Sequence, residues 1–274
     1  MMDKIKTLRD VTGAGIMACK SALMENGGDI EKAVEFLRKK GLSAMAKRAG
    51  RETSEGRTKV KFNKDNTGAV LLSLGCETDF VAKTDDFNNL AEKLADYMIS
   101  NSSVGNFFED EKVKSLIVDV APRLGENITL KNAAYYNLNG KGALSHYIHT
   151  DGKKAALVEL QCDTANTARL QDLGKELALQ LVAMTPSWIS RTDVPASVIE
   201  SEKDIFRTVA RNEGKPEAAI EKLIEGRLRK FYEQNCLLEQ VSIRDSKKTV
   251  TDFINEAEAE LGAKVKVVRF ERVS

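Results

Sequence analysis

The chain carries little with which to do chemistry. It has two histidines, His146 and His149, in 274 residues. Three apart on a strand pattern, they face opposite sides of a sheet and make a poor metal pair. The four cysteines, Cys19, Cys76, Cys162 and Cys236, lie far apart with no CxxC spacing. That argues against a metal site or a disulfide framework and for reduced, partly buried thiols. Neither GxxxxGK[ST] nor GxGxxG occurs, so no phosphate cradle is recognisable. Aromatic residues make up 6%, with a single Trp, which argues against base-stacking platforms. An excess of one charge is missing too. The 42 basic and 41 acidic side chains leave a net charge of +1, too little to steer the chain onto nucleic acid. No run approaches the roughly 18 apolar residues of a membrane span. Met1-Met2-Asp3-Lys4-Ile5-Lys6 has no apolar stretch leading to a cleavage site. The expected address is cytoplasmic, with no cofactor, no metal, no membrane and no direct nucleic-acid partner. Catalysis by Cys76 or Cys162 with a histidine would need a juxtaposition that nothing local enforces. The chain reads as a non-enzyme whose work is contact.

What the sequence does contain is helix, hairpin and charge. Hydrophobic residues reach 42% and charged residues 30%, enough for a real core under a well-solvated, helix-rich surface. Three short helices are predicted at the N-terminus. The first covers Lys4 to Asp10 and stops at Thr12-Gly13-Ala14-Gly15. The second covers Ile16 to Glu25. The third is capped by Asp29, carries Ala33, Val34 and Leu37 at helical spacing, and ends near Gly41. The stretch Lys47, Arg48, Arg51 and Glu52 to Gly56 reads as a solvated linker.

The middle of the chain repeats itself. Thr58 to Phe62 and Ala69 to Leu74 flank a polar turn, a hairpin pattern. Helices Asp85 to Ser100 and Glu109 to Val120 follow. A second hairpin, Ala143 to His149 with Ala155 to Gln161, precedes a helix from Thr167 to Met184. Leu74-Gly75-Cys76-Glu77-Thr78 aligns with Leu160-Gln161-Cys162-Asp163-Thr164, and Leu90 to Ala95 aligns with Leu173 to Ala178. The first copy is longer by a few residues, and the excess falls at Asp79 to Lys83. An insertion confined to one copy marks a place where function is added. There Phe80, flanked by charge, stands beyond a strand end. By pattern alone it reads either as a wedge for another protein or as a core residue closing the sheet. Pro195 to Asn212 and Glu217 to Phe231 form two charged helices around Glu213-Gly214-Lys215-Pro216, a projecting antiparallel hairpin. Its expected seams are Val198, Ile205 and Val209 against Ile220, Leu223, Ile224, Leu228 and Phe231. Such a hairpin also reads as a homodimerisation arm. A short helix to about Leu261 and a strand Lys264 to Phe270 close the chain.

Two stretches resemble a known family. Leu8-Arg9-Asp10-Val11-Thr12-Gly13-Ala14-Gly15-Ile16-Met17-Ala18-Cys19-Lys20-Ser21-Ala22-Leu23 looks like the first signature of translation elongation factor Ts. Cys76-Glu77-Thr78-Asp79-Phe80-Val81-Ala82-Lys83 looks like the second. Residues 28 to 33 resemble its third N-terminal helix. Arg123-Leu124-Gly125-Glu126-Asn127-Ile128 resembles the link into its second repeat, and Gly214-Lys215-Pro216 with Glu225-Gly226-Arg227 resembles its helical hairpin. The resemblance runs along essentially the whole chain. It implies a guanine-nucleotide exchange factor acting on elongation factor Tu. Arg9, Ile16 and Met17 fall at positions that dock on the GTPase domain. Thr78, Asp79, Phe80 and Val81 fall at the segment that dislodges the partner's Mg²⁺. By spacing alone, Arg9 reads as a solvated helix residue and Met17 as bundle core. An adaptor of ubiquitin-associated (UBA-like) type without exchange activity is the alternative.

Two features depart from the family pattern. Gly75 stands where Asn is usual, which suggests a looser approach to the turn. Many members also continue past the position of Ser274 into a further helix. The fold class expected is α+β: a three-helix module, two repeated α+β subdomains with antiparallel sheets, and a helical hairpin. The expected divisions are 1–50 for the docking module, 51–135 for the first core subdomain with the exchange turn and 136–190 for the second. The hairpin takes 191–235, and 236–274 returns to the core.

Overall fold

A computed structural model describes residues 1–273. The chain is α+β and divides into two units. The first comprises residues 1–137 with 148–154 and Val273, and the second takes residues 138–147 and 155–272.

The first unit opens with α1 (Met2–Thr12), α2 (Ile16–Glu25) and α3 (Ile30–Arg48). Gly13 ends α1 in the left-handed region (φ 64°) that favours glycine, and Asp29 caps α3 by accepting from the Lys32 N–H. Ile5, Leu8, Cys19, Ala22, Leu23 and Ala33 form the small core of these helices. The third helix does not stop near Gly41. It runs seven residues further, to Arg48, because Gly41 is a close approach rather than a breaker. A Cβ there would lie 2.7 Å from Cγ of Pro122, on α6 (Glu111–Leu124). Lys47 and Arg48 are therefore helical rather than linker. Thr53, also read as linker, is buried and its hydroxyl lies 2.9 Å from that of Thr129.

Strands β1 (Glu55–Phe62) and β2 (Gly68–Cys76) form the expected hairpin, pairing Phe62 with Ala69 and Glu55 with Cys76. Asn63 organises its turn, accepting from the N–H groups of Thr67 (2.9 Å) and Gly68 (3.0 Å). A third strand, β3 (Thr129–Asn137), pairs antiparallel on the other side of β2. Its half-exposed sequence lacks alternation, so period-two reading had nothing to find there. The Arg123–Ile128 stretch thus leads into the first sheet, not into a second repeat. Gly75 sits buried between Gly56 and Thr129 in the ladder, so the approach to the turn is paired on both sides rather than loose. Helix α5 (Asp85–Ser100) lays Phe87, Leu90, Leu94 and Met98 on the sheet beside Val113, Ile117 and Val120 of α6. Each such fully buried side chain contributes roughly 1.5–3 kcal/mol.

The second unit repeats the theme. Strands β4 (Gly142–Ile148), β5 (Ala155–Gln161) and β6 (Lys266–Val273) form a sheet in that order. Leu170, Leu173 and Leu177 of α7 (Thr167–Met184) join Ile254, Ala257 and Leu261 of α10 (Val250–Leu261) in its core. Glu159 is buried on β5 and neutralised by Arg269 of β6 at 2.7 Å. Between lie α8 (Ala196–Asn212) and α9 (Glu217–Asn235). Their seam is Phe206, Ala210, Ile220, Ile224 and Leu228. The expected Ile205 and Leu223 are exposed instead. Ion pairs Arg211–Glu217 (2.7 Å), Arg227–Glu213 (3.2 Å) and Arg207–Glu221 (3.3 Å) flank the seam.

Candidate functional site

Strand β2 ends at Cys76, and the chain passes through Glu77 and Thr78 into a one-turn helix, α4 (Asp79–Ala82). Thr78 is its N-cap, extended in backbone, with Oγ1 accepting from the Val81 N–H at 3.3 Å. One turn has almost no helical stability of its own, so the segment must be held from outside. On the inner side Ala82 is buried and Val81 packs on the first unit's core. At the C-terminal end the Ala82 carbonyl accepts from Arg57 Nε of β1 (3.2 Å) and Asn88 Nδ2 of α5 (3.3 Å).

At the N-terminal end the hold is denser. Glu126 Oε2 accepts from the backbone N–H of Glu77 (2.9 Å) and of Thr78 (3.0 Å), and Oε1 accepts from the Thr78 hydroxyl (2.6 Å). The exchange is reciprocal, since Glu77 Oε1 accepts from the Asn127 N–H at 2.7 Å. Arg51 donates to Glu77 Oε2 (3.2 Å), and the Asn127 side chain donates to the Arg51 carbonyl (2.8 Å). The Asn127 N–H, reinforced by Arg51, holds the Glu77 carboxyl below the ordinary glutamate range.

Phe80 is left outside, with 79% of its surface in water. A lone exposed aromatic is ordinary; what distinguishes this one is the tightly tethered turn that carries it. The core reading of Phe80 is thereby overturned. Asp79 does not stand free. Its Oδ2 accepts from Lys83 Nζ at 2.6 Å, and that ammonium holds the carboxyl below the usual aspartate range.

The N-terminal candidates are also on the surface. Arg9 is exposed in the last turn of α1. Ile16 (54% exposed) and Met17 (75%) open α2, and Val11 at the end of α1 is exposed as well. Met17 is therefore not bundle core. The module fills its interior with Leu8, Cys19 and Leu23 and leaves an apolar patch around the Gly13-Ala14-Gly15 loop.

The thiols have no nucleophilic setting. Burial, with Glu126 and Glu55 nearby, pushes the Cys76 thiol up to about 12. Burial raises Cys162 as well. His146 is held low by burial, and His149 pairs with Asp151 at 3.0 Å. Among the described residues no group of three or more His, Cys, Asp or Glu is placed to hold a metal ion, and no helix is long and apolar enough to cross a membrane.

Sequence reasoning missed Glu126 as a partner of the turn. It lies 48 residues from Thr78; the resemblance of residues 123–128 to the family marked the stretch, but no local pattern gave its partner.

The sequence model of the family described as Elongation factor TS matches residues 77–274. The chain is 42% identical over 275 residues to an elongation factor Ts of Clostridium botulinum (strain Alaska E43 / Type E3), spanning 98% of this chain and 90% of the relative. It is 42% identical over 278 residues to the elongation factor Ts of Prosthecochloris aestuarii, covering 98% and 96%. It is 44% identical over 262 residues to that of Chlorobium phaeobacteroides, covering 92% and 90%. The chain thus belongs to the elongation factor Ts family of translation elongation factors.

Proposed function

We propose that this chain is the guanine-nucleotide exchange factor of elongation factor Tu, working by binding rather than by catalysis. A GTPase holds its nucleotide through phosphate contacts and a bridging Mg²⁺. An exchange factor must bind the nucleotide-free partner better than the loaded one. By linkage it then weakens nucleotide binding by the same factor. In this reading Arg9, Ile16 and Met17, with Val11, dock the three-helix module on the GTPase domain. Thr78, Asp79, Phe80 and Val81 form the element that disturbs the Mg²⁺ site. Phe80 enters the partner, and Asp79 exchanges its Lys83 partner for a donor or water near the metal. A buried Phe contributes roughly 1.5–3 kcal/mol. A second contact of similar size brings the total to about 4 kcal/mol, a thousandfold loosening of nucleotide.

The observation that carries the reading is Phe80, exposed on a turn held at both ends, inside the stretch that resembles the family's second signature. Release of fluorescent GDP from elongation factor Tu tests it: the chain should accelerate release, and failure to do so removes the proposal. The exposed apolar patch at Val11, Ile16 and Met17 also favours a second reading, an adaptor that binds without exchange. In that case the three-helix module would bind a helix or a ubiquitin-like surface, and the chain would leave GDP release from elongation factor Tu at its intrinsic rate. The hairpin as a homodimer arm is a further proposal, for which exposed Ile205 and Leu223 supply apolar surface. The expected setting is the cytoplasm.

A further inference from the structure

We propose that Glu126 is a positioning residue for the Phe80 turn: it fixes Thr78 as the cap of α4 and so sets the direction in which Phe80 leaves the protein. This rests on the exchange reading of that turn.

The argument starts where the ladder stops. Beyond Cys76 the pairing of β2 with its neighbours ends, and the N–H groups of Glu77 and Thr78 need other acceptors. One carboxylate oxygen of Glu126 takes both, at 2.9 and 3.0 Å. The other oxygen takes the Thr78 hydroxyl at 2.6 Å. A hydroxyl has one proton and two lone pairs. With its proton committed to Glu126, the Thr78 oxygen presents only lone pairs to the helix, and one of them accepts the Val81 N–H. The carboxylate therefore holds the strand exit and orients the cap together. A charged acceptor makes these bonds stronger than neutral ones.

Glu126 is itself tied to a fixed frame. Gly125, at φ 74°, ends α6 in the left-handed region and turns residues 126 and 127 onto 77 and 78. The same helix carries the N-terminal module. Gly41 rests on Pro122, Arg123 lies against Gly13, and Arg38 reaches Ser115 (3.2 Å) and Asp119 (3.8 Å). One helix thus references both the docking module and the Phe80 turn. A positioning role follows because Glu126 touches only the turn's backbone and cap, never the exposed Phe80 ring.

The test uses the full chain with elongation factor Tu loaded with fluorescent GDP. It reads two quantities: the maximal release rate at saturating chain, and the concentration giving half that rate. Glu126→Ala should lower the maximal rate roughly tenfold, the size expected for losing bonds to a charged acceptor. The half-saturating concentration should move less than about twofold, because the docking patch on α1 and α2 is untouched. Glu126→Gln keeps an acceptor oxygen for the two amides but turns a donor towards the Thr78 hydroxyl, and should give a rate between those of the Ala variant and the parent. A Glu126→Ala maximal rate within about twofold of the parent overturns the proposal, as does a Gln variant no faster than Ala. If the Ala variant fails to fold, Glu126→Asp shortens the reach while keeping the charge. An Asp variant at the parent rate also overturns the proposal, and a slowed one supports it. Phe80→Ala, measured alongside, separates the layers. If it too leaves release unchanged, the exchange reading of the turn has failed. If it slows release while Glu126→Ala does not, only the positioning role is lost.

Discussion

Replacing Phe80 by Ala removes the side chain on which the exchange proposal turns, and the structure gives the size of the effect on each side of binding. In the free chain the ring is 79% exposed, so truncation removes almost no buried surface. Folding stability should stay within about 0.5 kcal/mol of the parent. The anchors of the turn are elsewhere: Val81 and Ala82 on the core, Arg57 and Asn88 on the Ala82 carbonyl, Glu126 on Glu77 and Thr78. None of them involves the ring. In the complex, loss of a buried Phe forfeits roughly 1.5–3 kcal/mol. Realised only in the nucleotide-releasing state, this slows release about ten- to 150-fold. Stopped-flow release of fluorescent GDP at saturating chain measures the rate, and urea unfolding followed by circular dichroism measures stability. Parent-like release from a stably folded Phe80→Ala variant would refute the reasoning. A loss of stability above about 1 kcal/mol would also refute it, since that would mean the ring is structural.

Three further outcomes are expected. Gly41→Ala should destabilise, although Gly→Ala within a helix ordinarily stabilises by about 1 kcal/mol. Its new Cβ meets Pro122 Cγ at 2.7 Å and overpacking costs about 1–3 kcal/mol, so a urea midpoint at or above the parent's would contradict the packing described. The Glu77 carboxyl is depressed from its ordinary 4.5 by the Asn127 N–H and then Arg51. Its contribution is therefore fully present above pH 4.5 and is lost as pH falls through the lower folded value. The ¹⁵N–¹H signal of Asn127 should titrate with a midpoint below 4.5, and a midpoint at or above it would show that this bond does not form in solution. Removing residues 195–231 should weaken complex formation with elongation factor Tu more than it changes the release rate within the complex. Equal losses in titration and in saturated stopped-flow would show that the hairpin does more than hold the partner.

Much of the fold was legible because it is written in local periods and caps. Asp29 before α3 caps as its side chain allows. The β1–β2 and β4–β5 hairpins are bounded by turn residues. The two long signature stretches also pointed to the elongation factor Ts family, because each is extended and specific and they stand in order along one chain. The sequence by itself determined which segments are helix or hairpin and where the first repeat carries extra residues.

Other features were decided only when distant segments met. Helix α3 passes through Gly41 because Pro122 occupies the space a side chain would need. Strand β3 forms because β2 offers it an edge, not because its own residues alternate. The inward face of α8 is chosen by packing of Phe206 and Ala210 with Ile220 and Ile224. Whether Phe80 and Met17 point inward or outward could not be read from spacing, since an apolar residue at helical spacing fits a core or a docking face equally well. Burial depends on whether other atoms already fill the interior, and here Leu8, Cys19 and Leu23 fill one and Val81, Ala82 and Phe87 the other. The hold of Glu126 on Thr78 spans 48 residues. No local pattern encodes it, because a hydrogen bond depends on the distance between its atoms in space and not along the chain.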